Sequence, residues 1–464
     1  MSNSRALEMD LFEFQLAVLK SIPRALEETH FPPGLIPEAL LASRVFKLVE
    51  DRWRQICKNP NVSKHLNKKI MLGRTSVTWT GSELTLGYML VEDILNRQIS
   101  GLQRLTVRHD ENISKDLADF FLKDEVTVVT KAPIYGLLII SSVPLLAEEG
   151  IQLIPQMPHL AEFAFPTSNG IGPSEIYPDI VFEHRWSEKK IVEEAGKGSV
   201  ASRPLEEDLS FRRLVLILRL LGMSNFSAPL IENRLLAPGL PFGYKKFYYP
   251  PPWSHRHRDN IDEIGEREAS GLLEAWKALK QLIPVGDSEE PIWLKIALAR
   301  MDMACERYDA RESLLDLCIS IEALLGREQS EVSYKFCQRG SLLLLLASRS
   351  LRPGSIESAR ELLDGVYGLR SGLVHARSND LQRCEQTNRQ LFELVRIFCL
   401  KAIALAPYFS HDNIIDRIDL SMVSPDELKE LEYELEASPL AQFWNPPYEK
   451  VSVLFSSKAT SPTR

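Results

Sequence analysis

Apolar residues recur at three- and four-residue spacing through most of the chain between residues 291 and 407. The pattern predicts five amphipathic helices, in the segments PIWLKIALARMDMACERY, ARESLLDLCISIEALLG, EVSYKFCQRGSLLLLLA, SIESARELLDGVYGLRSGLVHA and DLQRCEQTNRQLFELVRIFCLKAIALAP. The loops between them are short, so consecutive helices are expected to run antiparallel. We therefore predict a compact all-α bundle here, with Asp380 as the N-cap of its last helix.

The N-terminal half of the chain has a different pattern. Helical periodicity covers residues 8–59, whereas alternating and β-branched residues begin at Lys68, in KKIMLGRTSVTWT and later in EVTVVT, which is typical of strands. A further helix is predicted from Glu206 to a glycine stop at Gly222. The predicted fold class is multidomain α+β, in which a mixed α/β N-terminal region precedes the helical bundle.

These changes of pattern divide the chain into five predicted segments. One hydrophobic core seldom extends beyond about 300 residues, so a chain of 464 residues is expected to hold several domains. The segments are an N-terminal helical segment (1–66), a mixed α/β domain (67–205), a helical connector with a proline-rich loop (206–288), the helical bundle (289–408), and a C-terminal helix, capped by Ser424, with a polar tail (409–464).

Composition is that of a soluble globular protein. Hydrophobic residues make up 44% and charged residues 25% of the chain, and the most apolar segments are too short to cross a bilayer about 30 Å thick. The six cysteines form no CxxC pair, which indicates reduced thiols in a cytoplasmic protein rather than disulfides or a zinc site. The net charge of -8 argues against positive charge spread over the whole surface, as a nucleic-acid binder would often have.

Positive charge and aromatic rings are concentrated in one loop, KKFYYPPPWSHRHRD, at residues 245–259. Such a mixture can hold a phosphate backbone while bases stack on the rings. The residues predicted to contact RNA are Lys245, Lys246, Trp253, Arg256 and Arg258. The alternative is a stiff polyproline linker between domains, and the sequence leaves both open.

The segment YGLRSGLVHARSND carries the candidate chemistry. Arg370 and His375 are five positions apart, which on an ideal helix corresponds to about 140° of rotation and about 7.5 Å of rise, so their side chains diverge. Gly372 between them is a poor helix former and would permit a distortion. Two copies of the chain could instead bring both residues twice to one groove. A similar spacing in RALEETH and RLTVRH makes His30 and His109 weaker candidates.

Arginine and histidine suit the cleavage of RNA without a metal. One imidazole can accept the proton of a 2′-hydroxyl and another can protonate the 5′-oxygen leaving group, while a planar guanidinium holds the phosphate in the transition state. This chemistry needs no cofactor, and the sequence shows no carboxylate cluster that would hold a metal. On spacing alone the alternative stays open: an arginine that binds carbonyls at a helix end and a histidine packed at the edge of the bundle.

The ordered pieces SLLDLCISIEALLG, EVSYKFCQRGSLLLL and VYGLRSGLVHA, followed by a final amphipathic helix, resemble the HEPN superfamily, and specifically its Apea-like branch. The resemblance covers residues 291–407. It implies a metal-independent endoribonuclease that acts on RNA as a homodimer, with Arg370 and His375 as its catalytic residues. Residues at other patterned positions are assigned to support or orientation of the site: Glu322, Lys335, Arg339 and Ser371.

Ser371 departs from many superfamily members, which have Asn, Asp or His directly after the arginine. The Apea-like branch is associated with prokaryotic defence against phages, in which RNA cleavage halts growth of the infected cell. By position, residues 1–290 would hold the sensor, in particular the 67–205 domain, for a phage-derived trigger or a partner protein. Two alternatives stay open: a non-catalytic module for dimerisation or RNA binding, and a subunit of a larger CRISPR-like ribonucleoprotein.

Overall fold

The computed structural model describes residues 2–27, 38–66, 68–72, 75–78, 83–98, 112–139, 150–155, 165–166, 175–176, 180–194, 209–228, 232–235, 262–285, 289–326, 332–346, 355–375 and 381–444. Most of these residues are helical. The chain groups into two compact units: unit 1 contains residues 1–135, 146–208 and 228–248, and unit 2 contains residues 136–145, 209–227 and 249–464. Within the described ranges, no helix is both long and apolar enough to cross a membrane.

Unit 1 begins with packed helices, as the periodicity of residues 8–59 predicts. Its helices are α1 (Ser2–Glu27), α2 (Glu38–Ile56), α3 (Pro60–Ser63), α4 (Glu83–Gln98) and α5 (Asn112–Leu122). One face of α1 carries buried apolar residues at helical spacing, namely Leu7, Leu11, Phe14, Val18, Ile22 and Ala25. Phe14 lies against Trp53 of α2, with ring centroids 5.5 Å apart. The helical core of unit 1 therefore follows from the pattern of its sequence.

Unit 1 also contains an antiparallel sheet, and strands occur at both places where the alternation predicts them. Its six strands are β1 (Lys68–Leu72), β2 (Thr75–Thr78), β3 (Glu125–Ile134), β5 (Ile151–Pro155), β8 (Ile180–Glu194) and β9 (Glu232–Leu235). Their order is β2-β1-β8-β3-β9, with β5 also paired to β8. Two short strands pair separately, β6 (Phe165–Pro166) and β7 (Glu175–Ile176). The 15-residue β8 is long enough to pair with β5 and β1 in succession along one edge.

Unit 2 is built almost entirely of helices. They are α6 (Leu209–Leu220), α7 (Glu266–Leu279), α8 (Ile292–Glu306), α9 (Ala310–Leu325), α10 (Val332–Leu345), α11 (Ser355–Val374), α12 (Leu381–Leu405), α13 (His411–Ser421), α14 (Pro425–Ala437) and α15 (Ala441–Trp444). One parallel strand pair accompanies them, β4 (Leu137–Ile139) and β10 (Asp262–Ile264). Helices α8 to α12 are the five that the sequence predicts between residues 291 and 407.

The ends of several unit 2 helices follow their predicted signals. Gly222 after α6 has φ +92, and its N–H donates to Arg219 O at 2.9 Å while Met223 N–H donates to Leu218 O at 3.1 Å. This pair of bonds is the Schellman arrangement that glycine favours. Ser424 caps α14 by accepting from Glu427 N. Helices α13 and α15 were not predicted, and Asp380 lies outside the described residues.

Helix α9 is enclosed by four other helices of the bundle, because α8, α10, α11 and α12 all pack on it. It runs antiparallel to α8, and two of its buried serines bond to α8 carbonyls: Ser313 Oγ to Ala304 O at 2.8 Å and Ser320 Oγ to Ala297 O at 2.7 Å. Its Asp316 carboxylate is also buried and accepts from two arginines, Arg300 and Arg307, at 2.8 Å each. Each of these buried polar groups thus has a partner, which keeps the cost of burying it low.

A fully buried arginine joins α6 to α8. The Arg219 guanidinium lies 3.1 Å from a carboxylate oxygen of Asp302 and 2.8 Å from one of Glu306, and it also donates to Phe226 O. The second Glu306 oxygen accepts from Ser227 Oγ at 2.5 Å. Because an unpaired buried charge would be very costly, this network holds α6 against α8.

Lys401 of α12 is a second fully buried cation. Its Nζ donates to the carbonyl oxygens of Leu343 at 2.7 Å and Leu344 at 3.0 Å, and also to that of Leu346, at the C-terminal end of α10. Three acceptors match the three hydrogens of an ammonium group. Burial nevertheless lowers the pKa of Lys401 well below its usual value, while the negative charge of Glu432 opposes that shift.

We expect the burial of Lys401 to make the free energy of unfolding depend on pH in the neutral to alkaline range. Within the window between the lowered pKa of folded Lys401 and the value of about 10.4 in the unfolded chain, the unfolded state binds more protons, so stability rises with pH. The unfolding free energy of wild type minus that of Lys401→Met should therefore increase with pH by up to about 1.4 kcal/mol per pH unit in that window. Urea unfolding between about pH 7 and pH 10 measures it.

The control is Lys429→Met, because Lys429 is exposed on α14. This variant should show a constant difference from wild type over the same range. A constant difference for Lys401→Met as well would contradict a lowered pKa at Lys401.

Candidate active site

The end of α11 carries the two residues of the predicted catalytic pair. Helical hydrogen bonding continues to His375, whose backbone N–H donates to Ser371 O at 3.1 Å. The helix therefore passes through Gly372 without the distortion that this glycine would permit. Arg370 is half-buried and His375 is exposed. With a regular helix between them, the two side chains leave the axis about 140° apart, so one copy of the helix does not direct them to a common point.

An ion pair ties Arg370 to Glu322 of α9. Arg370 Nη2 lies 3.0 Å from Glu322 Oε1 and 3.2 Å from Oε2, and it donates a hydrogen bond to Oε2. The two side chains are 27% and 23% exposed, so the pair is shielded enough to be stronger than a typical surface ion pair. Glu322, a predicted supporting residue, thus contacts the Arg370 side chain directly, and its carboxylate offsets the charge of the guanidinium.

An aromatic ring and a thiol complete the surroundings of this ion pair. The Arg370 guanidinium carbon lies 5.6 Å from the centroid of the Tyr367 ring, within reach of a cation–π attraction. Cys318 is buried one turn before Glu322. Burial raises the pKa of the Cys318 thiol, the charge of Glu322 raises it further, and Arg370 partly opposes both. Cys318 is thus a neutral packing thiol rather than a nucleophile.

Tyr367 and Cys318 were not predicted as neighbours of the site. Their spacing carried the signal, because Tyr367 lies three positions before Arg370 and Cys318 four positions before Glu322, and such pairs share a helix face. Only the pairing of α9 with α11, which the sequence does not give, makes the four residues one cluster.

The other supporting candidates are Arg339, Lys335 and Ser371. Arg339 is buried and binds Asp419 of α13 through two bonds, Nε to Oδ1 at 2.7 Å and Nη2 to Oδ2 at 2.5 Å. It also donates to Leu325 O at 2.7 Å, so it holds the C-terminal end of α9 one turn after Glu322. Lys335 is half-buried on α10, one turn before Arg339. Ser371 is half-buried, and its carbonyl accepts the His375 bond.

The remaining predicted residues lie outside the described part of the chain. These are the RNA-contact candidates Lys245, Lys246, Trp253, Arg256 and Arg258 and the weaker histidine candidates His30 and His109. Among the described residues, no group of three or more His, Cys, Asp or Glu side chains is placed to hold a metal ion.

The arrangement offers two kinds of chemistry at one helix end. An exposed imidazole can accept a proton from a bound molecule or donate one to it. A half-buried guanidinium, held by Glu322 and Tyr367, can bind a phosphate or a carboxylate. Comparison of the chain with protein-family models, with curated proteins and with solved structures yields no match.

Proposed function

We propose that this protein is a metal-independent endoribonuclease that acts as a dimer through Arg370 and His375. The observation that carries the proposal is their placement at the end of α11: His375 is exposed, and Arg370 is anchored to Glu322 rather than buried in the core. A histidine that served only in packing would be expected among apolar neighbours. The ordered resemblance of residues 291–407 to Apea-like HEPN domains supports the same assignment.

The proposed reaction is the attack of a 2′-hydroxyl on the adjacent phosphate. One His375 imidazole accepts the hydroxyl proton as the O2′–P bond forms, and the imidazole of the second copy donates a proton to the 5′-oxygen as the P–O5′ bond breaks. The products are a 2′,3′-cyclic phosphate and a 5′-hydroxyl. Arg370 binds the non-bridging phosphate oxygens, on which negative charge accumulates in the transition state. In this scheme the second imidazole comes from another copy of the chain.

Glu322 competes with the phosphate of the substrate for the Arg370 guanidinium. Its carboxylate contacts the Arg370 guanidinium that the phosphate would use. A guanidinium has five N–H donors, so Glu322 can hold Arg370 in place while other donors face the substrate. We infer that Glu322 orients Arg370 at some cost in RNA affinity.

The wider proposal gives the other parts of the chain their roles. In this proposal the chain is a multidomain α+β protein of the cytoplasm. Residues 1–290 sense a phage-derived trigger or a partner protein, and the HEPN domain cleaves RNA to stop growth of the infected cell. The loop at residues 245–259 would contact the RNA. A second candidate function is a non-catalytic module for RNA binding or dimerisation, and it is favoured by the charge of Arg370 being already offset by Glu322.

The first experiment is cleavage of total cellular RNA by the purified protein in EDTA. We expect wild type to cleave, His375→Ala to lose about 10²- to 10⁴-fold in rate, and Arg370→Ala to lose about 10²- to 10³-fold. The matched control is Arg360→Ala, because Arg360 is exposed on the same helix ten residues earlier. A substrate with 2′-deoxyribose at the cleaved position should resist all forms of the protein.

The nuclease proposal fails if the folded wild-type dimer leaves RNA intact both alone and with phage lysate as a trigger. It also fails if both variants cleave as fast as wild type. If the protein binds RNA but does not cleave it, the non-catalytic module is favoured.

Glu322→Gln tests the competition at Arg370. The substitution keeps the shape of the side chain and removes its charge, so an uncleavable 2′-deoxy-substituted RNA should bind several-fold more tightly. The slope of log K against log salt concentration should become steeper by up to about one. Fluorescence anisotropy at several salt concentrations measures both. Glu361→Gln, at an exposed position of α11, should leave binding unchanged. Weaker binding by Glu322→Gln would show that the carboxylate only positions Arg370.

A further inference from the structure

Helix α8 presents an apolar stripe to solvent. Ile292, Ile296 and Met303 are 53%, 43% and 39% exposed, and Ala299 between them is exposed as well. These four positions follow the spacing i, i+4, i+7 and i+11, which places them on one face of the helix. Single exposed apolar residues are common, but a continuous stripe is the pattern of a helix that packs on a partner.

The stripe lies away from the Arg370 cluster. On α9, Ser320 bonds to Ala297 of α8, whereas Glu322 binds Arg370 of α11. Ser320 and Glu322 are two residues apart on α9, which corresponds to about 200° of rotation. Helix α8 and the end of α11 therefore lie on opposite sides of α9. A contact through the stripe is therefore separate from the proposed cleavage site.

We propose that the stripe is a two-fold interface with a second copy of this chain, in which two α8 helices pack antiparallel. Antiparallel pairing centred between Ala297 and Leu298 sets Ile292 against the partner's Met303 and Ile296 against the partner's Ala299. Each large side chain then faces an apolar one. The small Ala299 lets the helices approach closely at the centre of the contact.

The charges beside the stripe favour a second copy over an unrelated partner. Lys295 lies near the start of α8, and Asp302 and Glu306 lie near its end, on the same flank of the stripe, within about 40° of one another around the axis. In an antiparallel pair this flank meets the same flank of the other copy. Lys295 then lies about 3 Å along the axis from the partner's Asp302, within reach of a lysine side chain.

Asp302 and Glu306, at the acidic end of the flank, both contact the buried guanidinium of Arg219, and their side chains remain 33% and 28% exposed. In a parallel two-fold pair this flank would lie on opposite sides of the contact in the two copies, so Lys295 would not meet the acidic end of the partner helix.

The contact is expected to be weak and reversible. A helix of 15 residues is about 22 Å long, and one such face buries less than the roughly 800 Å² per partner of a stable dimer. The α8 contact does not depend on the proposed ribonuclease activity. If copies also pair at the Arg370 side, the two interfaces together give a tetramer or a longer assembly.

Cysteine cross-linking tests the register. In the proposed pair the two Ala299 positions lie about 4.5 Å apart along the axis and the two Ile292 positions about 16 Å apart. Ala299→Cys should therefore form a disulfide-linked dimer under mild oxidation, and Ile292→Cys should not. Five of the six native cysteines are buried and the sixth is half-buried, so the background should be low.

A charge placed in the stripe provides the second measurement. Ile296→Glu should abolish the Ala299→Cys cross-link and lower the dimer fraction in sedimentation velocity. Val423→Glu is the matched control, because Val423 is an apolar residue 80% exposed at the end of α13, and it should change neither. Equal cross-linking at positions 299 and 292, cross-linking at 292 alone, no cross-linking at 299, or no effect of Ile296→Glu would each overturn the proposal. None of these results depends on RNA cleavage.

Discussion

The helical unit depends on the enclosure of α9 by four other helices. A helix in this position can keep polar side chains only if each finds a partner. On α9, Ser313 and Ser320 bond to α8, Asp316 binds two arginines, and Glu322 binds Arg370. These bonds set the register between α9 and its neighbours. The position of Arg370, and with it the candidate site, follows from that register.

Regular features of the sequence predicted much of the fold. Helices α8 to α12 were predictable because each has a long apolar face, and β1 to β3 because their residues alternate. Short helices such as α13 have too few turns for a clear period. The buried cations Arg219 and Lys401 were not predictable, because the carboxylates that bind Arg219 and the carbonyls that bind Lys401 lie 55 to 87 residues away in the chain. In a sequence they look like ordinary exposed charges.

The candidate site shows the same division. Arg370, His375 and Glu322 were singled out from ordered motifs, but the contact between Arg370 and Glu322 joins residues 48 positions apart, and only the packing of α11 on α9 creates it. The expected distortion at Gly372 is absent because the helix bonds pass through it. A regular α11 strengthens the need for a second copy, since one helix cannot aim both side chains at one phosphate.

The most direct test of the two-copy site is the dependence of cleavage on the fraction of wild-type subunits. Wild type and His375→Ala are co-expressed at several ratios, and the metal-independent cleavage rate of the purified mixed dimers is measured. A site that needs both imidazoles loses activity as the square of the wild-type fraction, so equal amounts should give about one quarter of full activity. A linear decline, with about one half of the activity at equal amounts, would show that each copy acts alone and would contradict the account.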